Sequence, residues 1–230
     1  TLLIGKGNKG GDAYRAGIAL LEAKRRVVAL RLTPPDQASQ LQQKFRRLFL
    51  ERGGEELPAN APLQGCLIDG LLGTGMQGEI GAPFQELMGR ANRSRLPLIA
   101  IDLPSGIDPN SGQNLGSALV ATATVALAFP KLGCFLRDGW NHTGQLFLRP
   151  IGLSEEAIAE AHESAFLLDP KRLTLPPLVR NRHKYQAGYL LGWGGSKVYA
   201  GAAKLASLAA LRSGAGLVRL FTGEESAPLP

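Results

Sequence analysis

The chain has 230 residues, of which 44% are hydrophobic and 20% charged, and it carries a net charge of +7. That balance fits a soluble globular protein of one large domain or one and a half ordinary ones. No apolar run approaches the roughly 20 residues that a membrane helix needs. No leader peptide is evident, although the chain opens without a Met, inside what reads as a strand. Cys66 and Cys134 have no paired spacing, which argues against a zinc site and for two small buried residues in a reducing, cytoplasmic compartment. The bases are clustered: acids are sparse among them in Lys24–Arg52, and there are none between Lys171 and Lys197. Such patches suit anionic small molecules, nucleic acid or a solvated face. No aromatic residues interleave with them in an RNA-binding pattern, so nucleic acid is not the expected partner.

Taken in order, Thr1–Gly5 reads as a short apolar strand that ends in glycines. Gly10–Arg25 follows as a helix with a broad apolar face that includes Ile18 and Leu21. "RVVALRL", Arg26–Leu32, is the next strand. Pro34-Pro35-Asp36 stops it and opens a helix over roughly Gln37–Arg52, which Gly53-Gly54 ends. "GCLIDGLLG", Gly65–Gly73, has the composition of a strand buried on both faces. A helix over Ala82–Asn92 leads to a strand that begins at Leu96, then to strands at Ala121–Phe129 and Gly144–Pro150. This alternation predicts an α/β fold, a Rossmann-like three-layer αβα sandwich with a mostly parallel sheet. After about Ile151 a short acidic helix, Ser154–Ala161, gives way to a Pro-containing basic stretch. Gly188–Gly223 is again strand, glycine turn, helix, strand. It either completes the first sheet or begins a second, incomplete α/β unit. The domains expected are residues 1–153 and 165–230.

In parallel sheets, ligands bind at the carboxyl ends of the strands. Three polar, glycine-rich stretches fall there: Gly5–Asp12, Asp69–Glu79 and Asp102–Asp108. The first contains a literal G-x-G-x-x-G at Gly5, Gly7 and Gly10, but half of the dinucleotide fingerprint is missing. The second strand ends in Leu30-Arg31-Leu32, without the acid that would hold ribose hydroxyls. Arg31 could meet a 2′-phosphate instead. A Walker A loop fails as well, because no Gly-Lys-Ser/Thr follows the glycines. Consecutive glycines at Gly10-Gly11 would let backbone N–H groups approach an anion, and Asp12 would sit in the helix's first turn, as a cap or as a site residue. Asp69 and Asp102, after buried strands, need partners: cations, amide donors or substrate hydroxyls.

"GKGNKGGDA", "DGLLGTGMQGEI", "IDLPSGID" and "FPKLG…G…TG", in this order, resemble the NAD(P)H-hydrate epimerase domain, the YjeF N-terminal domain, over about Thr1–Leu153. The later segment "RHKYQAG…GGSKVYAGAAKLASLAALRSGAGLVRLF" resembles the opening of an ADP- or ATP-dependent NAD(P)H-hydrate dehydratase domain of ribokinase-like fold. That family's later nucleotide loop and catalytic Asp do not appear, so dehydration by this stretch alone is not expected.

The resemblance implies a substrate, NADHX or NADPHX, held by Asn8, Lys9, Gly10, Gly11 and Asp12, by Gly73, Thr74, Gly75, Met76, Gln77, Gly78 and Glu79, and by Asp102. It implies Asp102 as acid/base, with Asp12 as the alternative or as an orienting group. It also implies a potassium ion near Asp69 and Ser105, and a homo-oligomer. The usual loop reads Gly-Asn-Asn-Gly-Gly-Asp, and its second asparagine, a potassium ligand, is Lys9 here. An ammonium cannot ligate a cation. Lys9 would therefore put its own charge where the ion sits, swing out to a phosphate, or face solvent and leave the ion to the other oxygens. Lys131 is expected on phosphate or at the surface. His142 and His162 are expected to be incidental, and His183 and Lys184 to close the second unit's first strand, with Gly194, Gly195 and Ser196 forming a strand–helix turn. Two other readings stay open: an NADP-dependent reductase that rests on Arg31, and a non-catalytic scaffold module of the same fold.

Overall fold

The structure is a computed structural model that describes residues 1–76, 78–161, 165–174, 177, 179–196 and 199–222. It divides into two compact units, Thr1–Phe166 and Leu167–Pro230. The first holds a seven-stranded sheet made of β1 (Leu2–Ile4), β2 (Val28–Arg31), β3 (Glu55–Pro58), β4 (Leu67–Gly70), β5 (Leu98–Ile101), β6 (Ala123–Leu127) and β7 (Gln145–Arg149). Its order is β3-β2-β1-β4-β5-β6-β7, and every neighbouring pair is parallel. The fold is therefore Rossmann-like, with the chain turning back between β1 and β4.

Alternation along β1 sets the layers. Leu2 and Ile4 join one core with Ala13, Tyr14 and Ile18 of α1 (Asn8–Glu22) and Phe49 of α2 (Gln40–Glu51). Leu3 points the other way, into a core with Leu87, Met88 and Ala91 of α3 (Ala82–Ser94). Side chains in a strand alternate faces, so three consecutive apolar residues require helices on both sides. Short helices α4 (Gly139–His142) and α5 (Glu155–Ala159) complete the unit.

Two element assignments differ from the sequence reading. The edge strand β3 was not expected, because "EELP" is four residues long, carries two acids and ends in proline. It forms because Tyr14, Arg46 and Arg31 engage Glu56 from the neighbouring elements: Tyr14 donates to Oε1, and Arg46 grips both oxygens at 2.6–2.9 Å. In addition, α1 starts at Asn8 rather than Gly10, with Gly7 as its cap, so Asn8 and Lys9 also lie within the helix. Cys66 is exposed and only Cys134 is buried; both are free thiols.

In the second unit, β8 (Tyr189–Trp193) and β9 (Leu217–Phe221) form their own parallel two-stranded sheet, joined through α6 (Ala200–Arg212). The segment does not complete the first sheet. His162 lies outside the described residues. No helix among the described residues is long and apolar enough to cross a membrane.

Candidate functional site

A cleft of about 850 Å³ opens at the carboxyl ends of β1, β4 and β5, where the chain reverses direction. Its floor and one wall come from Lys6–Lys9 and Asp12 of the α1 entry. Leu71–Met76 and Glu79, after β4, form the second wall, and Ile101, Asp102 and Leu103 form the third. Leu32, Ile80, Phe84 and Leu127 supply apolar surface.

Most of the expected binding residues are on this surface: Asn8, Lys9, Asp12, Gly73, Thr74, Gly75, Met76, Glu79 and Asp102. Gly10, Gly11 and Gly78 are not among its lining residues. Gly10 serves packing instead, and Gly11 faces Gln42 at ordinary contact distance. A Cβ on Gly10 would collide with the Gln42 side chain and with the Gly5 carbonyl, which itself accepts from Gln42 Nε2 at 2.6 Å. Gln77 lies outside the described residues.

Asp102 ends β5 in an unusual turn. Its φ is +67°, and Leu103 N–H donates to the Ile101 carbonyl at 2.8 Å across it, a tight three-residue turn. A left-handed conformation costs a non-glycine residue energy, which Asp and Asn tolerate best. The turn is held from outside: Asp102 Oδ1 accepts from Leu127 N–H at 3.1 Å and from Lys131 Nζ at 2.5 Å. Lys131 also donates to the carbonyls of Leu127 and Phe129. It is thus not a free surface lysine but the partner of Asp102. The sequence carried only a weak sign of this, a lone cation shortly after the next strand.

Asp12 lies one helical turn beyond Lys9. Burial pushes its carboxyl above the ordinary value, and the Asp102 charge pushes it further, with Lys9 opposing both. Asp12 and Asp102 thus face one cleft, with Glu79 a third carboxyl group on its lining; Asp102 is fixed by a lysine, and Asp12 is shifted toward its protonated form.

Asp69 is not on the cleft surface. It is wholly buried, and its Oδ1 accepts from Leu71 N–H at 3.1 Å and from the Ser105 hydroxyl at 2.5 Å. Its Oδ2 accepts from Ser105 N–H at 2.8 Å and from Lys9 Nζ at 2.7 Å. Lys9 is 5% exposed, so it does not face solvent. Its Nζ also meets the Leu103 carbonyl at 2.6 Å, Ser105 Oγ at 3.0 Å and the Leu72 carbonyl at 3.1 Å. Burial pushes this ammonium below the usual lysine range, while Asp69 above all, then Asp102 and Asp12, pull it back up. The oxygens expected around a potassium ion are therefore gathered on a lysine nitrogen, and an ion on the same oxygens would coincide with it. The residues present do not fit a separate potassium ion. Among the described residues, no group of three His, Cys, Asp or Glu could hold a metal.

Arg31 is turned away from the cleft. It donates to the Thr33 carbonyl at 2.7 Å and lies 3.5 Å from Glu56. His142 contacts the Leu119 carbonyl at 2.9 Å, a structural role. In the second unit Lys184 sits over the Tyr185 ring, and His183 packs edge-on to the same ring.

Comparison with known proteins bears on the family and the fold. A family model described as "YjeF-related protein N-terminus" matches residues 1–133. A "Bifunctional NAD(P)H-hydrate repair enzyme Nnr" from Coxiella burnetii is 32% identical, covering 100% of this chain and 48% of the relative. One of the same name from Gloeobacter violaceus is 34% identical over 98% of the chain and 46% of its own length. A "Bifunctional NAD(P)H-hydrate repair enzyme" from Leishmania braziliensis is 31% identical over 97% and 42%. The chain thus spans a little under half the length of these curated relatives. The crystal structure of the yeast protein YNL200c superposes with a TM-score of 0.59 over 76% of each chain, at 16% identity, which bears on the fold alone.

Proposed function

Because the chain belongs to the YjeF-related N-terminal family, we propose that its first unit interconverts the R and S forms of hydrated NADH and NADPH. The observation that carries this reading is the pair Asp12 and Asp102 on one cleft, at the point where a Rossmann-like sheet binds nucleotides. The names of the relatives support the substrate. The α1 entry, with Lys6 beside its free N–H groups, suits the diphosphate.

In the substrate, the inverting carbon bears a hydroxyl and bonds the ring nitrogen. Asp12, which holds its proton to higher pH than an ordinary carboxyl, donates it to the hydroxyl. Water leaves, and the nitrogen lone pair closes a C=N⁺ bond. Water then adds from the other face as the Asp102 carboxylate takes its proton, and that proton returns to Asp12 through solvent to restore both groups; one water leaves, one enters, and no electrons are exchanged. Opening to an aldehyde and reclosing instead removes the hydroxyl proton and protonates the nitrogen as the C–N bond breaks, and reverses both on closure, so it too needs a base and an acid. The neighbouring carboxylate stabilises the cationic intermediate.

The reductase alternative loses its support, since Arg31 is tied to Thr33 and Glu56. The scaffold alternative leaves the strained, lysine-clamped turn at Asp102 without a purpose. The second unit's β8-α6-β9 arrangement is consistent with the opening of a nucleotide-dependent dehydratase domain, and the relatives align through it. A homo-oligomer and a cytoplasmic location belong to the same reading. The test is incubation of purified R-hydrate with the protein, followed by chromatographic separation. Accumulation of the S form supports the proposal, and an R-hydrate that survives unchanged rejects it.

A further inference from the structure

We infer that Lys9 is a built-in monovalent cation: its ammonium fills an oxygen cage that would otherwise take a free ion, so this protein is independent of potassium. The cage is made of Asp69 Oδ2 at 2.7 Å, Leu103 O at 2.6 Å, Ser105 Oγ at 3.0 Å and Leu72 O at 3.1 Å. One carboxylate, two carbonyls and one hydroxyl form a hard, all-oxygen set of the kind that suits an unselective hard cation. It carries a single negative charge, which one positive charge balances.

Hydrogen-bond counting shows that this charge is on the nitrogen. Asp69, Leu72 and Leu103 can offer only acceptors. The Ser105 proton is directed at Asp69 Oδ1, at 2.5 Å, and its oxygen already accepts from Leu72 N–H at 2.9 Å. The nitrogen therefore faces three obligatory acceptors, which match the three hydrogens of an ammonium. A neutral amine would place a lone pair against an oxygen.

The cage also ties three elements together. Lys9 comes from α1, Asp69 and Leu72 from the end of β4, and Leu103 and Ser105 from the turn after β5. Asp12 is one helical turn from Lys9, and Asp102 immediately precedes Leu103. Lys9 is thus a positioning residue: by covalent attachment it fixes the spacing of the two walls that carry the acid and the base. A free ion would do the same by exchange with solvent. The inference goes beyond the proposed reaction and does not depend on which substrate fills the cleft.

The experiment compares thermal unfolding of the full chain in potassium chloride and in choline chloride at matched ionic strength, for the wild type and for Lys9→Asn. The wild type is expected to melt at the same temperature in both salts. Lys9→Asn is expected to melt lower in choline and to recover by several degrees in potassium, or to fold only there, because a bound ion stabilises the folded state by mass action. A potassium-specific rise in the wild type would overturn the inference. So would a folded Lys9→Asn indifferent to potassium. Should Lys9→Asn fold in neither salt, crystals of the wild type soaked in rubidium decide the matter: anomalous density among these four oxygens contradicts a tethered cation, and its absence supports one. Turnover is not the readout, so failure here is separable from failure of the epimerase assignment.

Discussion

Two of the molecule's β-α-β units with glycine-rich turns, β1-α1-β2 and β8-α6-β9, differ in what surrounds them. In the first, β1 is wholly buried, and α1 buries Lys9, Gly10, Gly11, Ala13, Tyr14, Gly17 and Ile18. In the second, α6 buries no residue, and Trp193 at the end of β8 is 91% exposed and stacked on Phe221. Local pattern forms both, since a strand, a glycine turn and an apolar helix need only short-range signals. Among the described residues, buried charge appears in only the first of them. A buried lysine and a carboxylate with an altered affinity for protons need oxygens and walls from strands far away in the chain, and the seven-stranded sheet supplies them.

Substitutions can break this contrast. The largest effect is expected at Asp69→Ala, which leaves the Lys9 ammonium buried without its counter-charge and costs about 3–5 kcal/mol. Its counterpart Trp193→Ser, at an exposed position, is expected to change stability by less than about 0.5 kcal/mol. Urea unfolding followed in both variants checks this, and equal losses would mean that the two units are equally packed. Next comes the same small change at two helical glycines. A methyl on Gly17 meets Leu2 Cδ1 at 2.7 Å and the Phe49 ring at 3.0 Å, so Gly17→Ala is expected to destabilise by about 1–3 kcal/mol. A methyl on Gly201 meets nothing within 4 Å, so Gly201→Ala is expected to stabilise α6 by up to about 1 kcal/mol through helix propensity. Melting curves should move in opposite directions.

The smallest effect is the pH dependence at Asp12. Its folded-state pKa is raised above 3.8, first by burial and then by Asp102. The folded state therefore holds more protons than the unfolded one across the window above 3.8, and stability falls as pH rises through it. Asp12→Asn is expected to be the more stable protein at neutral pH. Its advantage should disappear in acid below 3.8, while its activity drops at every pH. An advantage that grows in acid would reverse the sign of the coupling between Asp12 and Asp102.

The same contrast explains what could be read in the sequence. Strand–helix alternation and the three polar stretches at strand ends were legible, because periodicity and strand polarity are properties of short segments. The edge strand β3 was not, since "EELP" pairs only because Tyr14 and two arginines hold Glu56. Gly10 and Gly11 suggested anion binding, yet the missing side chain at Gly10 makes room for Gln42, which is contributed by α2. Asp69 was expected on the cleft with Asp12 and Asp102 but is sealed beneath it behind Lys9. The hold of Lys131 on Asp102 was missed for the same reason: which lysine reaches which carboxylate depends on the turns after β5 and β6, and both contain a residue with positive φ, Asp102 and Ala128.

The central claim is that the Asp102 carboxylate moves the proton at the inverting carbon. Its most direct test is the rate of R-to-S conversion by Asp102→Asn, measured beside the affinity of the same variant for the hydrate. The expected result is a rate at least about 10²-fold below wild type with binding nearly unchanged. Near-normal conversion by this variant would contradict the claim and take Asp102 out of the chemistry.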